Sequence, residues 1–154
     1  MIRALNGSGK TFVLIGDPVP HYPDYYEECR KSADGNTHFL GHVPHESGLL
    51  ASAYAACNTF LLASWLETPG LAALEAALAG AKVVITSEGA TREYFAEHAA
   101  YVSPNQLSDI KEKTLAVFSK PKDARLKEHV LQHYSWKQVA LKTLEGYKSL
   151  LKAK

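Results

Sequence analysis

Glu67 and Glu75 stand eight residues apart, on either side of Thr68-Pro69-Gly70, and no other residues in the chain combine type and spacing as well for chemistry. From Pro69 to Ala81 the sequence reads P-G-L-A-A-L-E-A-A-L-A-G-A, with Glu75 as its only polar side chain. Leu71, Leu74, Glu75 and Leu78 fall at i, i+3, i+4 and i+7, which predicts a helix carrying a carboxylate on its apolar stripe. A carboxylate on a buried face is costly unless something binds it. Thr68-Pro69-Gly70 reads as the helix start, with Thr68 as cap and Pro69 in the first turn. Free amides of Gly70 and Leu71 at that end favour an anion such as phosphate, and Gly70 allows close approach. Side chains lean toward a helix N-terminus, so Glu75 leans to the same mouth, where a carboxylate accepts two hydrogen bonds from a ribose diol. This arrangement suits a nucleotide diphosphate better than a metal. On spacing alone a structural reading is equally open, with Glu75 on the rim and Glu67 simply favouring the positive helix end.

The elements that must position this pair alternate regularly. Strands are expected at 11–15, 37–40, 59–62, 82–86 and 100–102, and helices at 22–32, 46–56, 70–79 and 91–98. Such alternation implies βαβ units and a Rossmann-like, doubly wound parallel sheet. Ligands of such sheets bind beyond the carboxyl ends of the strands. The segment 63–68, leaving the strand at 59–62, lies at such an end. After Gln106 three helical patterns finish the chain, the last opening at Ser135-Trp136 with Trp136, Ala140, Leu144, Tyr147 and Leu151 along one side. The 154 residues are read as one domain, about 1–104 forming the α/β core and 105–154 the C-terminal helices. Asn6-Gly7-Ser8-Gly9-Lys10-Thr11 resembles the end of a P-loop, but a strand follows it where a helix is required, so it is read as a helix-to-strand turn.

Composition bounds the partners. A net charge of +1 argues against nucleic acid as the main partner. Cys29 and Cys57 make no disulfide framework and fit reduced thiols in a cytoplasmic protein. No apolar run is long enough to span a bilayer and no signal peptide is read. Lys137, Lys142, Lys148, Lys152 and Lys154 make the last helix basic, which leaves peripheral membrane contact open, although a solvated face is the commoner meaning. His42 with His45, and His129 with His133, lack the third ligand that zinc asks for and are read as solvated or hydrogen-bonded. Tyr22, Tyr25 and Tyr26 form an aromatic cluster near the expected cleft rim.

Ser64-Trp65-Leu66-Glu67-Thr68-Pro69-Gly70 followed by Leu71-Ala72-Ala73-Leu74-Glu75-Ala76-Ala77-Leu78-Ala79-Gly80 resembles the E-x7-E signature of retaining glycosyltransferases of the GT-B fold, family 4. Gly16-Asp17, Gly41-His42-Val43-Pro44, Val83-Val84-Ile85-Thr86 and Thr91-Arg92-Glu93 agree with the flanks of that family. The resemblance implies the C-terminal, donor-binding half of such an enzyme, transferring a hexose from a nucleotide-diphosphate sugar to an acceptor hydroxyl with retention. It implies donor contacts at Gly16, Val43, Glu67, Pro69, Gly70, Leu71 and Glu75, with Glu67 catalytic at the transferred sugar. Without any Asp-x-Asp, no metal is expected. Family members carry an earlier strand and helix supplying an Arg and a Lys to the diphosphate. Here the missing strand is expected to fall centrally, between 12–15 and 59–62, and the acceptor-binding N-terminal half is expected in cis or in trans. The alternative is a non-catalytic nucleotide-binding scaffold or regulatory module.

Overall fold

A computed structural model describes residues 1–152. Lys154, the last of the basic residues noted above, lies outside them. The elements run α1 (Ile2–Leu5), β1 (Phe12–Ile15), α2 (Pro23–Lys31), β2 (Thr37–Gly41), α3 (Gly48–Ala56), β3 (Thr59–Leu62), α4 (Leu71–Leu78), β4 (Lys82–Thr86), α5 (Thr91–Phe95), a 3-10 turn (Ala96–His98), β5 (Ala100–Val102), α6 (Leu107–Ser119), α7 (Arg125–Tyr134) and α8 (Trp136–Lys152). The short β-branched and aromatic runs form the strands, where such side chains pack well on a pleated surface. Residues 6–11 form a turn between α1 and β1, with Gly7 and Gly9 in left-handed backbone that suits glycine. Asp34 Oδ2 accepts the Gly7 N–H at 2.8 Å, which fixes the turn and holds that carboxyl below its usual range.

All strand pairs are parallel, but the five strands form two sheets. β1 pairs with β2, and β3–β4–β5 make a separate triplet. Met1 borders both. Its Sδ accepts the N–H of Ala63, just past β3, at 3.5 Å. It also lines a cavity of about 490 Å³ together with Leu14 and Ile15 of β1. The alternation in β4 organises the core. Val83 and Ile85 face a cluster with Ala73, Leu74 and Ala77 of α4, Phe95, and Leu126 and Val130 of α7. Val84 faces the other way, onto Ala4 of α1, Val102 and Ile110 of α6. Helices on both faces of a parallel sheet give the Rossmann-like layering expected from sequence.

One helix face is uncovered, and one helix start differs from expectation. Ser135 does open α8, its Oγ accepting the Gln138 N–H at 3.4 Å, but the apolar side of that helix is uncovered, with Trp136 81% and Leu151 75% exposed. α4 starts later than predicted. Its N-cap is Gly70, so Thr68 does not cap it and Pro69 precedes it.

Candidate functional site

Gly70 is buried and left-handed, with φ +74°, so the chain turns there from the loop into α4. A Cβ on it would meet Ile85 Cδ1 at 3.2 Å, Glu67 Oε2 at 3.6 Å and Leu62 Cδ2 at 3.7 Å. Only glycine satisfies both the backbone and the space, and the same numbers put the Glu67 carboxylate beside the helix N-terminus. No side chain caps that end. The first intrahelical donors are Ala73 and Leu74, both bonding to the Gly70 carbonyl, so the amides of Gly70, Leu71 and Ala72 have no helical partner. Leu71 faces outward at 58% exposure rather than lying on a buried stripe. The buried face is made by Ala73, Leu74, Ala76 and Ala77, whose three alanines let α4 lie close on β4.

The backbone of Glu67 is clamped by the loop after β4. Its N–H donates to Glu88 O at 3.3 Å, its carbonyl accepts the Ala90 N–H at 3.0 Å, and it bridges Gly89 in parallel fashion. Gly89, at φ +91°, passes so close that a Cβ would lie 2.1 Å from the Glu67 carbonyl oxygen. The loop is itself anchored by buried Thr91, whose Oγ1 donates to Thr86 O at 2.8 Å. The catalytic candidate is thus held by main-chain bonds from a neighbouring element. Sequence reasoning missed Gly89; the Ser87-Glu88-Gly89 turn directly after a strand was the available signal.

Glu75 lies at the margin of the buried face with its side chain 37% exposed, and it is paired. His45 Nε2 stands 2.9 Å from Glu75 Oε1, and this hydrogen bond, then the carboxylate charge, raises the imidazole pKa. Tyr54 of α3 is pushed up to about 12 by burial first and by Glu75 second. Neither partner was foreseen, since His45 lies thirty residues away along the chain. His42 goes elsewhere, its Nδ1 lying 3.3 Å from Asp17 Oδ2 and tying the loops after β1 and β2 together. The H-x-x-H pair is therefore split between two carboxylates. The other pair gains a neighbour: the His98 and His129 rings lie tilted against each other at 4.9 Å and those of His129 and His133 at 5.0 Å, with His129 Nε2 donating to Tyr94 O at 3.1 Å. Among the described residues no group of three or more His, Cys, Asp or Glu is arranged to hold a metal ion.

The expected site residues fall into three groups. Glu67, Pro69, Gly70 and Leu71 share the α4 mouth, Glu75 sits one turn inside it with His45, and Val43 is half-buried in the same loop as His45. Gly16 belongs to the third group. Its N–H donates to Gly41 O at 2.9 Å, and it borders the 490 Å³ cavity, which Glu67, Gly70 and Glu75 do not line.

Residues 2–120 match the family model described as glycosyl transferases group 1. The chain belongs to that family. No curated protein sequence matches it. Among solved structures, sucrose-phosphate synthase from Thermosynechococcus elongatus superposes with a TM-score of 0.76 at 22% identity, over 94% of this chain and 39% of that one. HepE from Anabaena, in complex with UDP, gives 0.76 at 21% identity, over 95% of this chain and 43% of that one. The C-terminal domain of a group 1 glycosyl transferase from Francisella tularensis gives 0.72 at 26% identity, over 88% of this chain and 77% of that one. This family member thus spans about two fifths of the first two proteins and has the fold of a GT-B C-terminal domain. Among its described residues no helix is long and apolar enough to cross a membrane.

Proposed function

We propose that this chain forms the donor side of a retaining glycosyltransferase. Together with an acceptor-binding N-terminal half, in cis or in trans, it transfers a hexose from a nucleotide-diphosphate sugar to an acceptor hydroxyl. The observation that carries this reading is the Glu67 carboxylate beside an uncapped helix N-terminus, with Glu75 one turn inside. In it, the amides of Gly70 and Leu71 receive the distal phosphate and stabilise the departing diphosphate without a metal. Pro69 stiffens the approach to them. Glu75 holds the ribose diol, the backbone at Val43 borders the base, and Gly16, in the loop after β1, leaves its backbone open to the donor. Glu67 orients the sugar and stabilises positive charge at its anomeric carbon. The UDP complex of HepE, a structural relative, supports a nucleotide at this fold.

One observation favours a second reading, a nucleotide-binding module without chemistry. Among the described residues no Lys or Arg pairs with Glu67, Glu75 or Asp17, so no paired cation marks the mouth as a diphosphate clamp. On its own, therefore, the chain is expected to show negligible sugar transfer; measured transfer by it alone would refute this.

Thermal stabilisation by UDP, GDP, ADP and their sugar conjugates tests the donor site. At a hundredfold excess over Kd, binding stabilises by about 2.7 kcal/mol, an easily read rise in Tm. Glu75→Ala is expected to weaken the preferred nucleotide about tenfold to a hundredfold, through loss of charge-assisted hydrogen bonds. No shift with any nucleotide would remove the donor reading.

A further inference from the structure

We propose that His45 is a pH-dependent latch on Glu75, which the ribose diol of a nucleotide must open in order to bind. The inference rests on the reading of Glu75 as the ribose-holding carboxylate and adds a regulator to it. His45 Nε2 lies 2.9 Å from Glu75 Oε1, and Tyr54 of α3 approaches the same carboxylate. The imidazole comes from the loop after β2 and is 75% exposed, so it is free to swing away from the carboxylate. A carboxylate that accepts both hydroxyls of a ribose presents both oxygens, and here one is already taken. Ligand and His45 therefore compete for the same atom.

The strength of the latch depends on protonation. Imidazolium donates to the carboxylate as a full ion pair, whereas neutral imidazole donates only as the Nε2–H tautomer and without charge. The groups facing the pair are Glu75 from α4, Glu46 beside His45 in its own loop, and Tyr54 from α3. Both carboxylates favour the protonated imidazole, and Glu75 does so most strongly. Tyr54, raised to about 12, stays neutral through the range and is a pH-independent neighbour of Glu75, so the change of charge falls on His45. The sign follows. Opening the latch removes the partner that holds the proton, so nucleotide binding expels a proton and affinity rises with pH.

The probes are the glucose conjugates of UDP, GDP and ADP, whose diphosphates stay fully ionised throughout the range. For wild type, affinity is expected to rise several-fold from about pH 5.5 to about pH 8.5, the window in which a histidine changes charge. His45→Ala is expected to bind at both ends with the high-pH affinity. Equal pH profiles in the two proteins, or weaker binding by His45→Ala at both ends, overturn the latch while leaving the donor site standing. Absence of binding by either protein at any pH removes the donor site and the latch together. The imidazole titration of His45, followed by NMR, gives a second readout. Its midpoint is expected to fall in Glu75→Gln and again when wild type is saturated with the bound conjugate. A midpoint unmoved by ligand overturns the proposal.

Discussion

The two half-sheets are built from similar strands and end up very differently packed. In the β3–β4–β5 half, Val83, Val84, Ile85 and Thr86 are all buried, with helices on both faces. In the β1–β2 half no strand residue is buried, and neither α2 nor α3 buries a single side chain. From Asn6 to Pro69 the chain contains no buried residue at all. Hydropathy does not account for this, because Phe12-Val13-Leu14-Ile15 is as apolar as Val83-Val84-Ile85. The difference lies in neighbours: β4 is paired on both edges, whereas β1 pairs on one edge only and opens on a cavity. A strand becomes core when others flank it, and composition alone does not make it so.

This contrast is open to direct attack. Phe95→Ala, in the fully packed half, should cost about 4 kcal/mol, while Phe39→Ala, in half-buried β2, should cost about 1 kcal/mol. Urea denaturation of the two variants measures this, and equal losses would break the comparison. Gly89→Ala should cost about 2 kcal/mol, since the new Cβ collides with the Glu67 carbonyl and the residue must hold positive φ. The same substitution should weaken nucleotide binding by loosening Glu67, which a thermal-shift series would show; stability lost with binding intact would mean that the clamp does not govern the mouth. Thr91→Val, which removes one buried hydrogen bond to Thr86, should cost about 1 kcal/mol in the same denaturation assay.

The strands were legible in the sequence almost to the residue, because each is a short β-branched run bounded by turn residues. Glu67 and Glu75 were legible as a pair from local signals too, Glu75 as the polar exception in an apolar helix and Glu67 by its place just before the helix start. What lay beyond local reading depended on distant chain. Thr68 has cap chemistry, but Ile85 and Leu62 close on Gly70 and make the glycine the cap. Glu75 reads as a buried charge until His45, from another loop, is seen to be its partner. The side of α8 that carries Trp136 and Leu151 has the period of a packed helix, yet it finds nothing to pack on among the described residues. Periodicity reports what a face is able to bury and is silent on whether a partner is there.

The order in which the chain leaves a ribosome gives the uneven packing a further meaning. Residues 6–69, none of them buried, emerge before residues 70–152. Ala4 waits for Ile110 of α6 before its own cluster closes. During synthesis the leading segment is therefore carried unburied until the trailing one appears, so the half of the molecule made last is the half that tells the first where to settle.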